Sequence, residues 1–146
     1  MTIAFLSFSI SALALIGCIS FHFSNLIIDP CTFCETIDIT LENDALESHG
    51  ERVGLYEKSS QVNGRPSWSS TSQAIWFVDS LNRWAIGDLE DIGTTTAGIA
   101  NKKAVSQCPF DLPSEDWMYD NNNGWKDANA NEINIVCVEE KGLGKV

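Results

Sequence analysis

Histidine is almost missing from this chain: His22 and His49 are the only two. A hydroxyl or thiol nucleophile needs a base beside it, and imidazole is the usual one, so an acyl-transfer triad has little to be built from. His22 lies in an uncharged leading segment. His49, within Glu47-Ser48-His49-Gly50, reads as a solvated loop residue. Cationic side chains are scarce as well: nine Lys and Arg stand against twenty Asp and Glu, a net charge of −11. Phosphate backbones are bound by Lys and Arg that displace counterions, so nucleic acid is excluded as a partner. Peripheral binding to anionic lipid is disfavoured for the same reason. There is no internal repeat, no low-complexity block and no strongly helical window. Among the many acids no spacing singles out a catalytic pair. Neither a catalytic residue nor a cofactor is therefore assigned.

Charge is also absent from Thr2 to Ile28, and Ile3 to Ile19 is nearly all apolar or small. Residues 1–20 read as a secretory signal peptide, with Cys18-Ile19-Ser20 supplying small residues before a cleavage site. No Lys or Arg precedes the apolar run, which is long enough for an uncleaved anchor reaching residue 28. Leu15-Ile16-Gly17-Cys18 also resembles a lipoprotein cleavage pattern, although the segment after Cys18 stays apolar. All three readings export the domain after Asp29, and the membrane enters only through the apolar segment. Residues 21–33 then form a linker, 34–138 a single domain and 139–146 a tail.

Beyond Cys18 four cysteines remain: Cys31, Cys34, Cys108 and Cys137. An even number in an exported chain argues for two disulfides. A redox or zinc role for Cys31-Thr32-Phe33-Cys34 lacks the βαβ setting or second close pair that either needs. Ile37, Ile39 and Leu41 alternate with polar residues, and Ile133, Ile135 and Val138 flank Cys137. If these first and last strands pair, one early cysteine meets Cys137 and the other Cys108. The favoured assignment is Cys34 with Cys137 and Cys31 with Cys108.

The centre of the chain is Gln73 to Gly87, two apolar runs around Asp79-Ser80-Leu81-Asn82. A hairpin with Val78 opposite Arg83 puts Phe77 beside Trp84 and Ile75 beside Ile86, with Trp76 on the other face. Further short strands are read at Arg52–Tyr56, Ala97–Ala100, Trp117–Tyr119, Gly124–Lys126 and Glu132–Val138, with turns at Asn63-Gly64 and Asp120 to Asn123. Glu42 to Gly50 reads as a loop or single turn, and Ser67 to Ser72 as an exposed connection around Trp68. About eight short strands with Gly, Asn and Pro between them predict an all-β, antiparallel sandwich or barrel-like sheet.

Cys34, Val53-Gly54-Leu55-Tyr56, Asn63-Gly64-Arg65-Pro66, Arg83-Trp84-Ala85-Ile86-Gly87, Cys108-Pro109, Trp117, Trp125-Lys126-Asp127 and Ile133-Asn134-Ile135-Val136-Cys137 succeed one another in this order. The succession resembles a small cysteine-bridged module found, singly or repeated, in secreted proteins of invertebrates and protists. Ser67-Trp68 departs from it, since an aromatic residue or Tyr commonly comes after that proline. The resemblance implies export, disulfides and a β fold, and no activity.

Five tryptophans invite a binding role. Trp76 and Trp84 belong to the core, whereas Trp68, Trp117, Tyr119 and Trp125 are the candidate ligand-binding residues. Asp120-Asn121-Asn122-Asn123-Gly124 is oxygen-rich, yet its glycine falls one position early for a calcium loop and a closing Glu is missing; a hairpin tip is preferred and no metal site is assigned. The sequence thus predicts a non-enzymatic extracellular binding or structural module whose partner is a protein or a glycan. A lectin-like protein using loop tryptophans is the alternative, and a secreted hydrolase using carboxylates comes third.

Overall fold

Ile37, Ile39 and Leu41 lie on one side of an extended chain because successive strand residues face opposite ways. All three are buried in β1 (Thr36–Leu41), the first strand of a computed structural model that describes residues 30–103 and 107–138. The expected signal peptide, its anchor alternative and the expected tail fall outside the described residues. One short helix, α1 (Asn43–His49), comes next, where the sequence reads as a loop or a single turn.

Eight further strands complete one antiparallel sheet: β2 (Gly54–Val62), β3 (Arg65–Ser69), β4 (Gln73–Val78), β5 (Arg83–Asp88), β6 (Ile99–Asn101), β7 (Trp117–Asp120), β8 (Trp125–Asp127) and β9 (Ile133–Val138). Each strand from β1 to β8 lies beside the next, and β9 returns to pair with β1. The nine strands curl into a half-barrel, in agreement with the predicted all-β class. β2 and β3 join through Asn63-Gly64, both left-handed at φ 52° and 78°. Their two positive φ values suit the twist of a two-residue hairpin turn.

The β4–β5 hairpin has the register expected from the sequence: Val78 faces Arg83, Phe77 faces Trp84 and Ile75 faces Ile86. Both strands sit in mid-sheet and are almost wholly buried. Inside the curl Trp68, Trp84, Trp117, Tyr56 and Tyr119 are sealed among isoleucines from β1, β4, β5, β6 and β9. Burying an indole of this size contributes roughly 4–6 kcal/mol of transfer free energy as an upper bound. A smaller cluster of Ala74, Trp76, Val78 and Ala85 covers the outer face of the central hairpin.

Two disulfides cross-link the sheet domain: Cys31 to Cys108, and Cys34 to Cys137. Cys137 lies opposite Ile37 in the β9–β1 ladder, so the bridge from Cys34 fastens the start of β1 to the end of β9. Both bridges lie against the main core.

Candidate functional site

Alternation along β7 decides which aromatic rings can meet a ligand. Trp117 and Tyr119 point into the curl, where neither has accessible surface, and Met118 points outward. On β8, Trp125 pairs with outward-facing Asp120, so its ring lies on the outer face and is 51% exposed. The expected grouping of Trp117, Tyr119 and Trp125 is therefore corrected: two of these rings lie on the inner side of the sheet and one on the outer. Trp68 is corrected in the same way. Its strand β3 turns the indole inward, where Nε1 donates to the Cys34 carbonyl at 2.9 Å, while Ser67 and Ser69 face the other side.

Trp125 borders a cleft of about 360 Å³ on the outer face of β5 to β8. Ala85 and Ala100, cross-strand partners on β5 and β6, form a floor of small side chains with Ala97. Met118 continues the same row on β7. At the opposite rim stand Leu81, 49% exposed, and Arg83, the first residue of β5. Thr95 adds one hydroxyl. The floor is shallow because alanines replace the large side chains that fill the inner face. No local motif singles out Arg83 or Met118, although the alternation that puts Trp117 and Tyr119 inside puts Met118 outside.

The hairpin that carries Trp125 is held from behind by α1. His49 is buried, not solvated as expected, and its Nε2 lies 2.7 Å from the Asp120 carbonyl oxygen. Lys126 forms an ion pair with Asp44 at 2.5 Å, and that hydrogen bond holds its ammonium above the ordinary lysine range. Gly98 makes the packing possible. A Cβ there would stand 2.7 Å from the His49 ring and 2.8 Å from the Arg52 guanidinium.

Glu132 ties α1 to the same hairpin. Its carboxylate accepts the Ala45 amide at 3.3 Å, the Tyr119 hydroxyl at 2.8 Å, and the Asn129 amide and side chain at 2.8 and 2.9 Å. Burial alone would raise its pKa; the hydrogen bonds from Asn129, Tyr119 and Ala45 outweigh that and hold it below the usual carboxylate range. Burial and the Glu132 bond in turn push the Tyr119 hydroxyl up. Glu132 thus caps α1 from the far end of the chain, since Glu42 makes no side-chain cap of its own.

At the hairpin tip Asp120 Oδ1 accepts the Asn122 amide and Asn121 Oδ1 accepts the Asn123 amide, both at 3.1 Å. These are turn-forming contacts. Among the described residues no group of three or more His, Cys, Asp or Glu is placed to hold a metal ion.

A more open depression of about 520 Å³ lies at Ser72, Gln73, Asp88, Leu89 and Glu90. There Asp88 is occupied by the Gln73 amide at 2.9 Å and by Arg52 at 3.7 Å, and its lining includes no aromatic ring. The Trp125 cleft is the stronger candidate because it combines an exposed ring with an apolar floor and a cation. Comparison with known protein families, curated proteins and solved structures finds no match, so the functional reading rests on these residues alone.

Proposed function

We propose that this protein is a non-enzymatic extracellular binding module that holds a protein ligand in the cleft beside Trp125. The observation that carries this reading is the contrast among the tryptophans: Trp68, Trp76, Trp84 and Trp117 are fully buried, and Trp125 alone is half exposed. Trp, Met and Arg are the residues enriched at the centres of protein interfaces, and Trp125, Met118 and Arg83 border one cleft. The described lining carries no carboxylate, imidazole or thiol, so it offers no base to activate a nucleophile. That supports binding over catalysis, and the carboxylate-hydrolase reading draws nothing from this cleft. Two disulfides are compatible with an oxidising, extracellular location. No helix among the described residues is long and apolar enough to cross a membrane.

One observation favours the lectin-like alternative. Asp120 sits directly across from Trp125, which places a hydroxyl acceptor beside a stacking surface. Peptide-display selection on the wild-type protein, with Trp125→Ala as the counter-screen, tests the first reading. Peptides that bind the wild type and lose at least tenfold affinity for Trp125→Ala support it. A glycan array giving Trp125-dependent signals without such peptides replaces it with the second. The variant removes a half-exposed side chain, and an unchanged circular dichroism spectrum checks that it folds.

A further inference from the structure

We infer that the ligand of the Trp125 cleft is a peptide segment presenting a carboxylate beside an aliphatic or aromatic side chain, with Arg83 receiving the carboxylate. This rests on the cleft being the binding site and adds the chemistry of the ligand.

Among the described residues almost every cation has a partner. Arg52, Lys58, Lys102, Lys103 and Lys126 each lie within 4.0 Å of an acid. The Arg65 guanidinium lies 3.9 Å from the centre of the Phe77 ring. Arg83, at the cleft rim, is the one cation among the described residues with neither an acidic nor an aromatic partner. The whole chain carries an excess of eleven negative charges, so acids to pair it with are plentiful. A guanidinium left unmatched beside an apolar floor has its planar fork open to a carboxylate, which it binds through two parallel hydrogen bonds.

The rest of the cleft determines what must accompany that carboxylate. Ala85, Ala97, Ala100 and Met118 offer apolar surface, and the Trp125 ring offers a flat wall. Apart from Arg83, the polar side chain lining it is Thr95. Two polar side chains are too few to satisfy a sugar ring with a hydroxyl on nearly every carbon, and an unmet hydroxyl loses its water without recompense. An aliphatic or aromatic side chain carries no such requirement. The occupant that matches both halves is an acidic residue or chain terminus next to an apolar one.

The test is an NMR titration of the folded, disulfide-bonded protein with N-acetyl-phenylalanine and with its carboxamide, two probes alike in shape that differ by one charge. A trimer of galacturonic acid serves as the glycan arm. Both phenylalanine probes should shift the Trp125 indole N–H signal, and the acid should bind about tenfold more tightly than the amide. In Arg83→Gln the amide should bind as before and the acid should lose its advantage. No ion pair or ring contact of Arg83 among the described residues would be broken by the variant, and an unchanged spectrum elsewhere checks this. Equal affinity of acid and amide for the wild type overturns the role of Arg83 and leaves the cleft standing. Failure of both probes to move the Trp125 signal overturns the cleft reading and this inference with it. Tighter binding of the galacturonate trimer than of N-acetyl-phenylalanine overturns the peptide assignment in favour of an acidic glycan.

Discussion

Glu132 and Tyr119 meet inside the curl of the sheet, hydroxyl to carboxylate at 2.8 Å, where neither residue has accessible surface. The contact joins the last turn before β9 to β7, the first strand of the Trp125 hairpin, and the Ala45 amide brings α1 to the same carboxylate. Removing the charge while keeping the shape, as in Glu132→Gln, replaces one acceptor oxygen by an NH₂ group facing donors. The expected loss is about 2–4 kcal/mol at neutral pH, read by chemical denaturation. The pH dependence comes from the depressed pKa of the folded carboxylate. Its contribution is fully present above the unfolded carboxylate range and is lost as pH falls through the folded pKa. Wild-type stability should therefore drop below about pH 5 more steeply than that of Glu132→Gln. Parallel slopes would mean that the carboxylate is not the group responsible.

The buried indoles differ in how their N–H groups are satisfied. Trp84 Nε1 donates to the Gln107 carbonyl at 2.8 Å and Trp76 Nε1 to that of Thr94 at 2.9 Å. Trp117 Nε1 is buried without a hydrogen-bond partner among the described residues. An unmet buried donor costs about 1–3 kcal/mol. Replacement by Phe removes ring volume in every case, but at Trp117 it also removes that penalty. Trp117→Phe should be milder than Trp84→Phe by about 1–2 kcal/mol in urea unfolding. The opposite order would show that Trp117 Nε1 is satisfied in solution.

The bridge from Cys34 to Cys137 spans 103 residues and fastens the pairing of β1 with β9. Loop-closure entropy for that span is worth about 4–5 kcal/mol in the unfolded chain. The paired replacement Cys34→Ser with Cys137→Ser should lose stability of that order and melt at markedly lower temperature. Cys31 and Cys108 should stay bonded in it, as non-reducing peptide mapping would show. Reshuffling of Cys31 or Cys108 to other partners would contradict the arrangement.

Alternation makes part of this fold legible in the sequence. Ile37, Ile39 and Leu41 mark β1, and the paired apolar runs around Asp79 to Asn82 mark β4 and β5 with their register. Strands with one polar face and one large inward residue are hidden. In β3 the single inward indole of Trp68 stands between serines, so three residues of alternation look like a serine-rich loop. The helix α1 is hidden because its N-terminal cap comes from Glu132, which no local pattern announces. His49 is hidden for a related reason: its partner is a backbone carbonyl on β7, far along the chain. The cleft is half legible. Trp125 stands out by composition, yet Arg83, Ala85, Ala100 and Met118 become neighbours only through the pairing of β5, β6 and β7.

The most direct test of the proposed site tracks the five indole N–H signals of the folded protein while a peptide selected on it is added. The signal that vanishes in Trp125→Phe is the one predicted to move, saturably and at the affinity measured for the peptide. Signals of the four buried rings should stay in place. Saturable binding that leaves the Trp125 signal unmoved, or that persists at full strength in Trp125→Ala, would contradict the proposed site.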